Sequence, residues 1–166
     1  MPPDSLVIQT HTPNVLRDLA LLIELNKKCK LSIQITAESD KENDELQYYQ
    51  TKERLRHMYS IESRLNALKR IKEAGLFSVG VVSPLMPLND PSQFASKLDK
   101  TSNFVILDHY LLGDGSGGFR TKSRNYFSEP LPSILLNNNQ DEWNSLDKFN
   151  EIVAVFRKVL GPNKLG

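Results

Sequence analysis

Side chains able to do chemistry gather at four points of this chain, Thr10-His11-Thr12-Pro13, Thr36-Ala37-Glu38-Ser39-Asp40, Ser83-Pro84-Leu85-Met86-Pro87 and Asp108-His109-Tyr110. Each follows an apolar run rich in β-branched residues. Imidazoles, carboxylates and hydroxyls in such a set can move protons, hold a divalent ion or grip a polar ligand. His11, His109, Glu38 and Asp108 could together form the metal site of a hydrolase, although no H-x-H or H-E-x-x-H spacing marks one. Each residue also has a plainer reading, as a hydrogen-bonded group where a strand meets water. His57 lies inside a charged segment and reads as solvated surface.

Arg64 stands one turn into a helix, four residues after the candidate cap Ser60. A helix N-terminus favours anions, and a guanidinium there can hold a carboxylate at two points. The alternative is an ion pair with Glu62 or with the acidic segment before it. GDGSGG, at 113–118, lacks the Gly-Lys-Ser/Thr ending of a P-loop and the βαβ context of a dinucleotide fingerprint. Arg120, Lys122 and Arg124 after it could grip a phosphate or an acidic partner, or simply line a solvated loop. Cys29 is the only cysteine, between Lys28 and Lys30 in a helix-to-strand turn. It reads as non-catalytic, permits no intrachain disulfide and fits a reducing cytoplasm. It cannot alone supply a cysteine-ligated zinc site or an iron–sulfur cluster.

The elements that must carry these groups alternate. Leu6–Thr10, Leu31–Thr36, Phe77–Ser83 and Asn103–Asp108 read as strands. Asn14–Lys28 reads as a helix capped by Thr12 or Asn14. Ser60–Ala74 reads as a helix with a stripe of Ile61, Leu65, Leu68 and Ile71, closed by Gly75. Asp90 caps a further helix with Pro91 at its first position. The connection Glu38–Tyr59 is long and charged, with a short helix in its middle. SEPLPSILL reads as extended, and the last helix spans Asp141–Leu160, stopped by Gly161-Pro162.

The strands look nearly all apolar, as parallel strands covered on their faces do. The expected fold is therefore a single α/β domain over 1–166. Its parallel βα units form half of a barrel, and residues 125–166 add a C-terminal extension with a helix. In such folds ligands bind at the carboxyl ends of the strands, which places the four clusters on one rim. The prolines and apolar residues after Phe77–Ser83 would then cover an aromatic ligand.

Composition narrows the partners. Apolar residues make up 39% and charged residues 25%, the usage of a globular domain. A net charge of +1 gives no support for a dedicated nucleic-acid surface. No apolar run reaches the roughly 20 residues that span a bilayer, and the N-terminus shows no signal-peptide pattern.

The stretch SIESRLNALKRIKEAGLFSVGVVSPLMPLNDPSQF resembles the later part of the radical S-adenosylmethionine barrel, in the branch of spore photoproduct lyase and the so-called DNA repair photolyases. LVIQTHTPNVLRDLALLIEL resembles that branch's strand, Thr-Lys/His-Ser/Thr turn and Arg-Asp helix. FVILDHYLLGDGSGGFRTKS resembles a subgroup with Asp-His, Gly-Asp-Gly and Arg-Thr near the barrel's end. Together these cover roughly residues 5–124. The resemblance implies S-adenosylmethionine contacts at Thr10, His11, Ser39 and Arg64, with Pro84 to Pro87 on the adenine side. It implies a substrate side at Asp108, His109 and Arg120. Many relatives carry lysine where His11 stands. The C-x-x-x-C-x-x-C loop that holds the family's 4Fe–4S cluster is absent. The resemblance therefore implies a truncated or degenerate member, without catalysis of its own. Two alternatives stand beside it: a stand-alone binding domain that self-associates through an open sheet edge, and the metal-dependent hydrolase.

Overall fold

The computed structural model describes residues 3–42, 45, 58–109 and 131–166. β1 (Ser5–Thr10), β2 (Lys30–Thr36), β3 (Phe77–Val82) and β4 (Phe104–Leu107) form one parallel sheet in the order of the sequence. Between them run α1 (Leu19–Asn26), α2 (Ile61–Glu73) and α3 (Pro91–Thr101). After β4 come α4 (Leu131–Asn137) and α5 (Leu146–Leu160). The expected α/β class is therefore present, with its C-terminal helix.

Strand order and helix placement agree. Right-handed crossovers between strands laid down in sequence order put every connecting helix on the same face. That face carries Leu31, Ile33, Ile35, Val82, Val105 and Leu107, packed in one core with residues of α1, α2, α3 and α5. Gly80 sits in its centre, in the row Thr10–Ile35–Gly80–Val105. A Cβ there would lie 2.8 Å from Leu98 Cδ2, so the missing side chain is what lets Leu98 of α3 approach β3, whereas Leu68 Cδ1 of α2, at 3.6 Å, would stay in ordinary contact. A doubly wound sheet reverses its strand order at a switch point; the described strands do not. Their connectivity is that of successive units of a βα barrel.

The caps behave as the sequence suggests. Ser60 Oγ accepts from Ser63 N at α2, and Asp90 Oδ1 from Gln93 N at α3. Gly75 takes a φ of 76° after α2. At the C-terminal end of α3 the Lys72 ammonium donates to the carbonyls of Asp99, Lys100 and Ser102, supplying partners that the helix cannot.

Several boundaries differ. The helix read over Asn14–Lys28 is a 3-10 turn, Pro13–Asp18, followed by α1; Thr12 is its cap, accepting from Asn14 N. The last helix is likewise divided: a 3-10 turn at Asp141–Asn144, then α5 capped by extended Ser145. SEPLPSILL is not extended throughout, since Leu131–Asn137 is helical. Pro132 falls in the first turn, where a missing N–H costs no helix bond. Nor are the strands covered evenly on both faces. On the face away from the helices Val79 and Val81 are buried, but Val7 is 57% and Phe77 48% exposed near the amino ends. The free edge of β4 is occupied by the chain's own end: Val105 N donates to Lys164 O, Gly166 N to Val105 O and Leu107 N to Gly166 O. Among the described residues no helix is long and apolar enough to cross a membrane.

Candidate functional site at the carboxyl ends of the strands

The segments leaving β2, β3 and β4 stay knitted together. Ala37 N donates to Val81 O, Met86 N to Glu38 O, Leu85 N to Asp108 O and Asp108 N to Val82 O, at 2.8–3.1 Å. Ser39 Oγ donates to Pro87 O at 2.8 Å. The rim predicted from strand ends is therefore one surface, built on hydrogen bonds between neighbouring loops.

Three acidic residues in alternate positions after β2 each meet a different positive centre. Glu38 turns inward to Arg64, Nη1 to Oε2 at 2.9 Å. Asp40 accepts from the backbone N of Asn89 and Asp90, ahead of α3. Glu42 accepts from the backbone N of Ile61 and Glu62, in the first turn of α2. Two helix N-termini and one guanidinium are thus met by a single acidic strap. The anion-binding capacity expected of the α2 N-terminus is taken up by Glu42 and Ser60. Sequence reasoning missed the roles of Asp40 and Glu42; the alternation Glu-x-Asp-x-Glu after an apolar strand is the signal that carries them.

Arg64 is the most enclosed member, 1% exposed. It leans from α2 over the end of β2, and Nη1 also donates to Thr36 O at 2.8 Å. Its Nε and Nη2 are buried without an acceptor, as is the Thr36 hydroxyl, among the described residues. Buried donors left unpaired cost about 1–3 kcal/mol each, so this corner is short of acceptor oxygens. Glu38 also faces His11, whose Nδ1 is 3.3 Å from Oε1. Burial pushes the Glu38 carboxyl up. The His11 hydrogen bond and the charges of Arg64 and His11 outweigh burial and hold it at about 2, against an ordinary 4.5. Glu38 is therefore a fixed anion near neutral pH. It orients the imidazole of His11, which is 55% exposed, through Nδ1, so that Nε2 is the nitrogen left to hydrogen-bond a ligand.

The other predicted residues divide. Thr10 Oγ1 accepts from Thr12 N and shapes the turn bearing His11. Ser39 spends its hydroxyl on Pro87 O and Lys41 N. Pro84 is half-buried after a cis Ser83–Pro84 bond, while Leu85 and Leu88 join the helix-side core and Met86 is buried apart from it. The apolar run past β3 is thus filled largely by packing. Asp108 is raised above the ordinary range by burial, partly opposed by a hydrogen bond from Ser83. His109 turns inward, edge-on to Phe149 with ring centroids 5.4 Å apart. Burial lowers its pKa, partly opposed by the Trp143 backbone, so it favours the neutral form. Arg120, the GDGSGG loop and His57 lie outside the described residues.

Donor chemistry tests the groups that the sequence raised. Among the described residues no three His, Cys, Asp or Glu side chains are placed to hold a metal ion, so the proposed hydrolase set is not gathered. The residues do not fit a 4Fe–4S cluster either. Cys29 is the only cysteine in the chain, buried at the amino end of β2, and its thiol meets Leu25 O at 3.7 Å. An anionic or acceptor-rich ligand is different, because two Arg64 donors have no acceptor among the described residues. Comparisons of the chain with family models, curated proteins and solved structures return no match.

Proposed function

We propose that this chain is a partial (β/α) barrel of the radical S-adenosylmethionine type, akin to the spore photoproduct lyase branch. It binds S-adenosylmethionine at the carboxyl rim and performs no radical chemistry alone. The observation that carries this reading is Arg64: a buried guanidinium at the strand ends, held by Glu38 and Thr36 O, with Nε and Nη2 lacking acceptors among the described residues. The two nitrogens form one side of the guanidinium fork, which matches a carboxylate at two points. Bound, S-adenosylmethionine presents such a carboxylate together with an amine, a sulfonium and an adenosyl group.

The remaining assignments follow the same surface. Glu38 holds Arg64 and His11 in place, and His11 meets the ligand's polar groups. Thr10 and Ser39 shape the turns on which these groups sit, and Pro84 follows β3 on the side that the resemblance assigns to the adenine. Asp108 and His109 lie on the substrate side of the same rim. Both Arg64 nitrogens are closed off from water, so a ligand reaches them only when neighbouring residues move aside. A cytoplasmic location suits a chain whose one thiol is unpaired.

Equilibrium dialysis with radiolabelled S-adenosylmethionine tests the reading. Saturable binding, displaced by S-adenosylhomocysteine but not by adenosine alone, is expected. Absence of saturable binding at millimolar ligand would overturn it.

A further inference from the structure

The two edges of the sheet are unlike. β4 is bordered by the chain's own Lys164–Gly166, whereas β1 has no neighbour on its outer side among the described residues. The register pairs Ser5 with Lys30, and Lys30 N donates to Asp4 O at 3.0 Å. In a parallel ladder the bonded residues then alternate. Leu6, Ile8 and Thr10 turn their N–H groups to β2, and Ser5, Val7 and Gln9 point N–H and C=O outward. All three of these residues are exposed, Val7 at 57%.

Sheet edges exposed to water are ordinarily protected by a charge, a proline or a bulge. β1 reads SLVIQT, with no charged residue and no proline, and its register with β2 runs unbroken from Ser5 to Thr10. Beside it a largely apolar groove of about 410 Å³ opens at the amino ends of the strands, with Val7, Ser32 and Phe77 in its lining.

The geometry points to a second copy of this chain as the partner of that edge, paired antiparallel to β1 about a two-fold axis at Val7. Only residues with outward backbone groups can exchange hydrogen bonds. The register that engages them all sets Val7 against Val7 of the second copy and Ser5 against Gln9 of the second copy. It brings Leu6 beside Ile8 of the second copy on the helix side. On the other side the two exposed valines meet, and the Val7–Phe77 groove continues across the axis. Asp4 falls beside Thr10 and His11 of the second copy, so no like charges oppose one another. Such an interface is isologous and closes after two subunits, giving one continuous eight-stranded sheet. An edge pair of this length is a modest interface, so association is expected at about micromolar protein or weaker.

The test is sedimentation equilibrium of the purified chain, with variants at the axis. The wild type is expected to associate to twice its 18.9 kDa. Val7→Lys places like charges directly opposite and is expected to weaken the dimer by about tenfold or more. Its far-ultraviolet spectrum should stay unchanged, as should its melting temperature at dilutions where both proteins are monomeric, because in the monomer the side chain is largely exposed. Val7→Cys reports the register: hydrogen-bonded antiparallel pairs hold Cα atoms about 5.5 Å apart, within disulfide range. Mild oxidation should therefore cross-link Val7→Cys and leave Ser5→Cys without a cross-link. A monomer throughout, at about 100 µM and above, overturns the proposal. So does a dimer that neither Val7→Lys weakens nor Val7→Cys captures.

Discussion

Replacing Glu38 by glutamine keeps the shape of the side chain and removes the charge on which the rim depends. In the native chain Glu38 is buried between Arg64, at 2.9 Å, and His11, at 3.3 Å. Its carboxyl is held at about 2 against 4.5. Unfolded Glu38 takes up a proton near its ordinary pKa, whereas folded Glu38 does so only near 2. Its contribution is therefore fully present above about pH 4.5 and is lost as pH falls toward about 2. At ~1.4 kcal/mol for each tenfold change in acidity, that contribution is about 3 kcal/mol. Near neutral pH the substitution also leaves Arg64 as an uncompensated buried charge, so a loss of about 3–5 kcal/mol is expected. That is a large fraction of a domain's ~5–15 kcal/mol. Urea unfolding followed through Trp143, the only tryptophan, reads both effects. The wild-type stability should fall by about 3 kcal/mol more than that of Glu38→Gln between about pH 5 and pH 2. Removing both partners, as Glu38→Gln with Arg64→Met, should recover part of the loss, because no charge is then left buried. The reasoning fails if Glu38→Gln costs less than about 0.5 kcal/mol near neutral pH, the range of an ordinary surface substitution. Equal acid slopes in the two proteins would refute it as well.

Three further outcomes follow from the same geometry. Asp40→Ala strips the acceptor from Asn89 N and Asp90 N ahead of α3 and should cost about 1 kcal/mol in urea unfolding; an unchanged midpoint would deny the strap its role. Gly80→Ala should lower the melting temperature by an amount equivalent to about 1–3 kcal/mol, since its Cβ would meet Leu98 Cδ2 at 2.8 Å in a packed core; a neutral result would mean that Leu98 can give way. Anaerobic reconstitution with iron and sulfide should leave the chain without a stable 4Fe–4S chromophore, because one cysteine cannot supply its ligands; a stoichiometric cluster per chain would contradict this.

What the sequence makes legible follows short-range rules. Apolar runs ending in polar clusters mark the four strands, and Ser60, Asp90 and Gly75 mark helix ends by their own backbone chemistry. Strand order then sets which residues reach the rim. The misses have physical causes of their own. An extended reading of SEPLPSILL overlooks that Pro132 is harmless in a first turn. Val7 and Phe77 look like core residues in an apolar run, yet exposure depends on what covers a sheet face, which periodicity does not report. The strap is hidden because Glu38, Asp40 and Glu42 resemble solvated charge until the α2 and α3 N-termini are placed beside them. Arg64 is legible as a group one turn into its helix, leaning over the strand ends; that its partner is Glu38, 26 residues earlier, is a fact of tertiary structure.

Calorimetric titration of the chain with S-adenosylmethionine and with its decarboxylated analogue tests the central claim most directly, since the two differ in the group assigned to Arg64. Binding of the first, with affinity at least about tenfold greater than for the second, is predicted, and Arg64→Lys should abolish that difference. No heat with either ligand at millimolar concentration, or equal affinity for both, would contradict it.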